Sequence, residues 1–512
     1  MPLLGSLIKR FIKARSMVKL RRSSALAKQN RVLRKLLRKA EFTEFGKHYH
    51  FTRILSSENQ IESFRTTIKT YNYNSIYNEW WYRLMREEEN ICWPGKTKYF
   101  ALSSGTSESA SKHIPVTKEM IHAIQRGSIR QILSLANYEL EADTFEKGIL
   151  MLGGSTKLDR KGRYYEGDLS GISAAKLPFW FHRFYKPGKK ISEEKDWEKK
   201  LDEIAELAPN WDVAFIVGVP AWIQIMVERI IARHQLKTIH DVWPNLICYV
   251  HGGVSFEPYR RSFEKLFARP IAYVDSYLAS EGFIAFQTNP NTRAMKLITD
   301  NGIFFEFVPF DENNFDANGE LINGAKTLHI GEVKENAPYA LLMSTCAGAW
   351  RYLIGDVVKF TSLKETEIVI VGRTKHYLNL CGEHLSVENM NQAIEMCSEK
   401  FKTSIREFCV SGIPHSKMFA HHWYVGCDEK INNEEFRVAL DNNLKKVNDD
   451  YAVERIAALN EVIVDVIPTS LFYKWMELHG KSGGQNKFPR VMKGSQYDDW
   501  KKFVETEMKT MN

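Results

Sequence analysis

At residues 103–112 the chain reads Ser103-Ser104-Gly105-Thr106-Ser107-Glu108-Ser109-Ala110-Ser111-Lys112, directly after an apolar run at 99–102. Small residues let backbone N–H groups approach phosphate oxygens, hydroxyls add hydrogen-bond donors, and a lysine neutralises phosphate charge. The GxxxxGK[ST] spacing of a Walker A loop is absent. The stretch therefore indicates a phosphate-binding loop of another kind, although a serine-rich stretch is also typical of a solvated turn.

Around this loop the sequence alternates between short apolar runs and helical patterns. Buried strands are predicted at 148–152, 214–219, 247–250 and 271–274. Helices are predicted between them, at 197–207 and 222–233. Later apolar runs at 304–308 and 327–333 predict an antiparallel part. The alternation indicates an α/β fold, with mixed β-sheets and helices in a large N-terminal domain.

The pattern changes after Gly372 to that of a smaller α+β unit. Strands are predicted at 407–413, 422–427 and 461–467, and helices at 432–448 and 470–479. Asn432 and Glu435 have the spacing of a capping box at the start of the first of these helices. We therefore predict a basic arm at 1–40, a large domain at 41–373 and a small mobile C-terminal domain at 374–512.

Five further motifs follow the loop in order along the chain. They are His251-Gly252-Gly253, Tyr277-Leu278-Ala279-Ser280-Glu281, Trp350-Arg351-Tyr352-Leu353-Ile354-Gly355-Asp356, Gly372-Arg373-Thr374-Lys375-His376-Tyr377 and Gly483-Gly484-Gln485-Asn486-Lys487-Phe488-Pro489-Arg490. Each alone has a structural explanation, such as a tight turn, a solvated lysine, or Ser280-Glu281 capping a helix that begins at Gly282. Their order and domain-scale spacing make the set specific.

The ordered set resembles the motifs of adenylate-forming enzymes. More narrowly, residues 103–112 with the following Ile114-Pro115-Val116-Thr117 resemble the auxin-responsive promoter family, and the chain is similar to its bacterial-type members. These are the acyl-acid amido synthetases, which in plants conjugate hormones to amino acids. The resemblance spans nearly the whole chain and implies a large adenylate-forming domain with a small mobile C-terminal domain. Two positions depart from the pattern. Ser109 replaces a frequent glycine, and Leu353 replaces an arginine whose role is either absent or moved, for example to Arg351.

The resemblance also implies a role for each motif. Nucleotide binding is expected from Ser103, Ser104, Gly105, Thr106, Ser107, Gly252, Gly253, Tyr277, Ser280, Asp356 and Arg373. Tyr277 would stack on adenine, Ser280 would bond the α-phosphate, and Asp356 and Arg373 would bind the ribose. Glu281 would hold Mg²⁺, a cation that prefers carboxylate and phosphate oxygens. Lys487, Lys112 and Glu281 are the expected catalytic residues, and the small domain would rotate about Lys375.

The implied reaction uses ATP to activate a small carboxylic acid. Acyl-AMP and pyrophosphate form first, and an amine or amino acid then takes the acyl group. A ligase that makes an acyl-CoA thioester shares the first step and remains an alternative. A catalytically inactive nucleotide-binding scaffold is the other alternative, because of Ser109 and Leu353. The aromatic residues at 179–183 either line the acyl pocket or form a core cluster.

Charge and cysteine content indicate the compartment and partners. The net charge is +9, and residues 1–40 hold thirteen Lys or Arg and no acid, so the remaining residues carry a net −4. The arm shows amphipathic helical patterns, at 3–22 and 32–37, which either pack on the main domain or contact an anionic membrane surface. Its only aromatic residue is Phe11, so no nucleic-acid partner is expected. Seven scattered cysteines, no secretory signal and no membrane-length apolar run indicate a cytoplasmic protein.

Overall fold

A computed structural model of the chain describes most of the sequence. The described residues are 23–103, 112–138, 140–141, 143–178, 181–316, 319–374, 377–378, 385–415, 418–448, 451–452, 455, 459–480 and 487–511. None of the helices built from them combines the length and hydropathy that crossing a membrane requires.

The helices of the large domain precede and alternate with its strands. They are α1 Ala25–Ala40, α2 Glu44–His48, α3 Phe51–Leu55, α4 Gln60–Thr67, α5 Tyr73–Ile76, α6 Tyr82–Met85, α7 Lys118–Ser134, α8 Leu169–Ala174, α9 Lys189–Ser192, α10 Trp197–Leu207, α11 Pro220–Arg233 and α12 Glu257–Leu266. The C-terminal helices are α13 Val387–Phe401, α14 Asn433–Val447, α15 Ser470–Leu478 and α16 Gly494–Met511.

The strands form one long sheet and several short ones. Up to Arg373 they are β1 Tyr99–Ser103, β2 Lys112–Val116, β3 Gly148–Leu152, β4 Asp159–Lys161, β5 Tyr164–Gly167, β6 Tyr185–Lys186, β7 Val213–Gly218, β8 Cys248–Gly252, β9 Ala272–Ala279, β10 Gly282–Gln287, β11 Met295–Leu297, β12 Ile303–Pro309, β13 Pro338–Thr345, β14 Tyr352–Ser362 and β15 Glu367–Arg373. The later strands are β16 Tyr377–Leu378, β17 Leu385–Ser386, β18 Glu407–His415, β19 Met418–Gly426, β20 Leu459–Ile467 and β21 Val491–Met492.

The long sheet has the order β12-β13-β14-β15-β11-β10-β9-β8-β7-β3-β6. Strands β6, β3, β7, β8 and β9 are parallel to one another. Every other pairing in the sheet, in the order β9-β10-β11-β15-β14-β13-β12, is antiparallel. This mixed sheet with helices around it confirms the predicted α/β class. Ligands of α/β sheets bind at the carboxyl ends of parallel strands, where β7 and β8 end in Gly218 and Gly252.

The four buried strands and the two helices predicted between them are all present. Their bounds differ from the predicted ones by two residues or fewer, except that β9 continues to Ala279. The strand predicted at 327–333 is wrong. Only Leu328 forms an isolated bridge there, and the antiparallel partner of β12 is β13. The reason is a local turn, in which the backbone N–H groups of Gly331 and Glu332 bond to the His329 side chain and carbonyl.

The second amphipathic pattern of the arm is helix α1, and it packs on the large domain. Its apolar side, with Leu33, Leu36 and Leu37, is buried in the main core. The buried Gln29 amide donates to the carbonyls of Thr299 and Ile303 at 2.8 and 2.9 Å and accepts from Phe305 N at 2.7 Å. The packing explanation therefore holds for Ala25–Ala40, whereas the pattern predicted at 3–22 lies outside the described residues.

The C-terminal part has its own sheet, of order β20-β19-β18-β21. Helices α13 and α14 cover one face and form a separate apolar cluster with it. Of the capping box predicted for α14, the Asn432 half is confirmed, since the Asn432 side chain accepts from the N–H groups of Glu434 and Glu435. The other face carries α15 and α16, whose apolar side chains join one cluster with α11 and α12 of the large domain. The two parts are therefore docked through a continuous apolar contact.

Candidate active site

The base of the predicted phosphate loop is the hairpin of β1 and β2, in which Ser103 pairs with Lys112. The predicted nucleotide-binding residues Ser104, Gly105, Thr106 and Ser107 lie outside the described residues, as does Ser109. The Lys112 ammonium lies 5.4 Å from the centroid of the Tyr73 ring. This cation–π contact keeps the lysine at the mouth of the hairpin.

Ser280 and Glu281 form the turn between β9 and β10. The alternative explanation, that they cap a helix beginning at Gly282, is wrong, because Gly282 starts strand β10. The turn places the Glu281 carboxyl in the interior, 8% exposed. Burial raises the pKa of Glu281 to about 7, with a further increase from Asp356, while the positive charges of Lys112 and Arg373 oppose the shift. A buried carboxylate that is only partly neutralised is suited to a cation.

Asp356 and Arg373 face each other on the paired strands β14 and β15. Arg373 Nε lies 2.9 Å from Asp356 Oδ1, an ion-pair contact whose angle leaves the buried N–H without a hydrogen bond. The Tyr277 hydroxyl donates to the other carboxylate oxygen at 2.5 Å. Tyr277 is only 6% exposed. It therefore orients Asp356 here, and its stacking on adenine stays a prediction.

The turn after β8 explains both glycines of the His251-Gly252-Gly253 motif. A Cβ at Gly252 would lie 2.3 Å from the Ser276 carbonyl oxygen of the neighbouring strand β9. Gly253 has φ +87°, and a Cβ there would lie 3.2 Å from Lys487 Cε and 3.3 Å from Nζ. A larger residue at Gly252 would push β8 away from Ser276 on β9, and a larger residue at Gly253 would displace Lys487.

Lys487 comes from the C-terminal part and reaches this turn. The Lys487 residue as a whole is exposed, and its ammonium packs on Gly253 and donates to the Gly253 carbonyl. Burial of the ammonium, assisted by the positive charge of Arg373 and opposed by Asp356, lowers the pKa of Lys487 to about 8. The structure thus brings Lys487, Gly253, Asp356 and Arg373 together, and the charges of Asp356, Arg373 and Lys112 act on Glu281.

Of the two alternatives for the arginine role missing at Leu353, a move to Arg351 is wrong. All five of its N–H donors are used, by the Glu306 carboxylate, two backbone carbonyls and one hydroxyl. Arg351 and Glu306 are both buried, with 5% and 1% of the side chain exposed. Leu353, on β14, lies in an apolar cluster. Neither residue therefore offers a polar group to a ligand.

Sequence reasoning missed several residues that adjoin the site. The hydroxyl of buried Tyr352 interacts with Glu281, and its signal was its place inside the Trp350–Asp356 motif. Buried Tyr259 and Glu407, with the partly buried Arg490, lie close to Lys487; Arg490 ends the Gly483–Arg490 motif, whereas Tyr259 and Glu407 had no local signal. Of the aromatic segment at 179–183, residues 179 and 180 lie outside the described part, and His182 is exposed. Its role in an acyl pocket stays a prediction.

Comparison with solved structures defines the class of the fold. The GH3.15 acyl acid amido synthetase is 16% identical, with a TM-score of 0.75 over 94% of each chain. A 2-hydroxyisobutyryl-CoA ligase in complex with 2-HIB-AMP is 11% identical, with a TM-score of 0.58 over 93% of this chain and 90% of that one. The fold is that of the adenylate-forming enzymes, as predicted.

Family models narrow this class. Residues 16–201 match the GH3 family N-terminal domain, 296–373 the GH3 family central domain and 388–496 the GH3 family C-terminal domain. The chain belongs to the GH3 family, which confirms the predicted family of acyl-acid amido synthetases.

Curated relatives in the family are plant enzymes. The indole-3-acetic acid-amido synthetase GH3.10 of Arabidopsis thaliana is 23% identical over 269 residues, 49% of this chain and 45% of that protein. The jasmonoyl–L-amino acid synthetase JAR4 of Nicotiana attenuata is 27% identical over 172 residues, 31% of this chain and 28% of that protein. The matched segments thus span less than half the length of these relatives.

Proposed function

We propose that the protein is an ATP-dependent acyl-acid amido synthetase. It adenylates a small carboxylic acid and transfers the acyl group to an amine or amino acid. The observation that carries this proposal is the contact of the Lys487 ammonium with Gly253, beside Asp356 and Arg373. A lysine delivered by a second domain to this group of side chains suits charge stabilisation at a reacting phosphate.

The described residues fit a nucleotide at this place. Arg373 Nε is buried without a hydrogen bond, and Asp356 can accept from two ribose hydroxyls at once. For Mg²⁺, the described residues contain no cluster of three acidic, His or Cys ligands, so Glu281 would hold the ion together with phosphate oxygens and water. When bound, Mg²⁺ supplies positive charge to the phosphates.

In the first step the acid's carboxylate attacks the α-phosphorus and pyrophosphate leaves. Lys487 stabilises the negative charge that develops on the carboxylate and α-phosphate oxygens, and Lys112 acts on the phosphates from the hairpin side. Ser280, in the turn beside Glu281, donates to the α-phosphate. Positioning and electrostatics supply the catalysis, because the reaction needs no covalent intermediate with the protein.

In the second step the amine attacks the acyl carbon and AMP leaves. Lys487 approaches Gly253, Asp356 and Arg373 from the C-terminal part. The amine therefore reaches the acyl carbon only after this part has moved away. Rotation about Lys375, which lies outside the described residues, would allow this movement. One relative is named an indole-3-acetic acid-amido synthetase and another a jasmonoyl–L-amino acid synthetase, and these names support a carboxylic acid and an amino acid as the kinds of substrate.

The proposal is tested by acid-dependent exchange of labelled pyrophosphate into ATP with Mg²⁺, over a panel of carboxylic acids. A confirmed acid is then offered with amino acids, simple amines and coenzyme A, and products are identified by mass spectrometry. We expect an amide. Efficient consumption of coenzyme A without any amide would establish the thioester alternative, which the fold of 2-hydroxyisobutyryl-CoA ligase keeps open. No exchange with any acid would favour the inactive scaffold.

The lowered pKa of Lys487 predicts that the rate of adenylation declines on the alkaline side of its pH profile. The ammonium form is the active one, so kcat/KM for adenylation should fall as pH rises through about 8. Lys487→Arg keeps the charge at all accessible pH values, so its activity, though lower, should lack this decline. A pH profile of pyrophosphate exchange for both proteins decides the point. An identical alkaline decline in the arginine variant would assign the ionisation to another group.

Two remaining parts of the proposal concern location. A cytoplasmic location is supported by Cys92, Cys248, Cys346, Cys397, Cys409 and Cys427, which are buried free thiols. Weak contact of residues 1–40 with an anionic membrane is supported by α1, whose basic side chains Arg31, Arg34 and Arg38 are exposed on the face opposite the core.

The membrane contact predicts that the full chain floats with anionic liposomes and that salt releases it. Each basic residue near such a surface contributes about 1 kcal/mol at low salt. The measurement compares the full chain with a variant carrying Arg31→Gln, Arg34→Gln and Arg38→Gln, which keeps the packed side of α1. Equal flotation of the two proteins would show that the outer face of α1 makes no such contact.

A further inference from the structure

The C-terminal part is docked on the large domain through a buried polar contact close to Lys487. Tyr259, on α12 of the large domain, donates its hydroxyl to Glu407 Oε1 at 2.6 Å. Glu407 starts strand β18 of the C-terminal part. Tyr259 is 1% exposed and Glu407 3% exposed. A hydrogen bond to a carboxylate at such depth is stronger than one at the surface, so it favours docking.

The same carboxylate holds the segment that bears Lys487. Arg490 Nη1 donates to Glu407 Oε2 at 2.6 Å and to the Phe408 carbonyl at 3.0 Å. The Arg490 backbone carbonyl accepts from Val410 N. Between Arg490 and Lys487, the Phe488 ring is buried against Trp475 and Trp500. Arg490, three residues after Lys487, thus fixes this segment to β18 through its ion pair with Glu407. The same Glu407 carboxylate contacts Tyr259 of the large domain.

We infer that Tyr259, Glu407 and Arg490 form an interdomain latch that positions Lys487 for adenylation and releases it for acyl transfer. The inference rests on the proposed function. Tyr259 is the member from the large domain, so its hydrogen bond is made only while the two parts are docked. Tyr259 and Glu407 are positioning residues, because they act through the Lys487 segment.

The structure also shows how the latch opens without leaving an unpaired charge. The Tyr473 hydroxyl already donates a long hydrogen bond, at 3.4 Å, to the same Glu407 oxygen that accepts from Tyr259. Tyr473 is on α15 and moves together with Glu407. On release it can replace Tyr259 as donor, while the Arg490 ion pair stays intact. The alternative, a buried carboxylate that has lost its donor, would oppose release.

The test separates the two half-reactions. Tyr259→Phe removes the interdomain hydrogen bond and keeps the ring, so the ratio of the adenylation rate to the rate of amide formation from supplied acyl-AMP should fall, by up to about tenfold. Tyr473→Phe removes the donor of the released state, so the same ratio should rise. A fall in Tyr473→Phe, or an unchanged ratio in Tyr259→Phe, would overturn the latch.

Tyr451→Phe is the matched control. Its hydroxyl donates at 2.9 Å to Asp441, a buried carboxylate paired with Arg455 entirely within the C-terminal part. Tyr451→Phe should lower the stability of the protein without changing the ratio of the two rates. A change in the ratio equal to that of Tyr259→Phe would show that the Tyr259 effect is only a loss of stability. Amide hydrogen exchange in residues 257–266 and 404–415 of the ligand-free proteins gives a readout independent of activity. Faster exchange is expected in Tyr259→Phe alone, so the latch is decided even if no acid supports adenylation.

Discussion

Replacing Lys487 by alanine should lower the rate of acyl-adenylate formation by about 10²–10³-fold, the usual effect of removing one preorganised donor from a transition state. The ATP dissociation constant should change far less. The ammonium is in place before the reaction, held at the Gly253 carbonyl. Its interaction with the substrate strengthens only as charge builds between the carboxylate and the α-phosphate, so the loss belongs to the chemical step.

Single-turnover formation of acyl-AMP, beside ATP titration of the same variant, measures the two quantities separately. Lys474→Ala is the matched control, because Lys474 is an exposed lysine of the C-terminal part, ion-paired with Glu507. It should leave both quantities unchanged. Normal adenylation by Lys487→Ala would remove Lys487 from the mechanism and, with it, the observation on which the proposed function depends.

The parts of the site that sequence could predict are those with local signals. A buried strand followed by two glycines placed His251-Gly252-Gly253 at a strand end, and the structure gives both glycines a steric reason. Strand periodicity and the Asn432 cap are likewise properties of a few neighbouring residues. Ser280-Glu281 was ambiguous, because serine and glutamate suit both a helix cap and a tight turn. Only the pairing of β9 with β10 decides between them.

The parts that sequence could not predict depend on partners far along the chain. Its place in the motif made Arg351 a candidate for the role of the arginine missing at Leu353, but its guanidinium meets Glu306, 45 residues away, and all its donors are used within the fold. The Tyr259 contact with Glu407 spans 148 residues, and the Arg490 contact with Glu407 spans 83. No periodicity or spacing rule links such residues, since Tyr259 meets Glu407 only when α12 docks on β18, and Arg490 meets Glu407 only when the C-terminal part has folded.

Replacing Asp356 by alanine should weaken ATP binding by about 10²-fold, because each hydrogen bond from a ribose hydroxyl to a charged acceptor contributes about 1.5–3 kcal/mol. Part of the loss comes from Arg373, whose charge then lacks the carboxylate 2.9 Å away. The sharper measurement compares ATP with 2′-deoxy-ATP by titration. The unaltered protein should prefer ATP, and Asp356→Ala should bind the two nucleotides alike. Tyr277→Phe, which removes only the hydroxyl that donates to Asp356, should weaken ATP binding less and keep the preference. If a folded Asp356→Ala protein still distinguished the two nucleotides, the ribose would have to bind elsewhere.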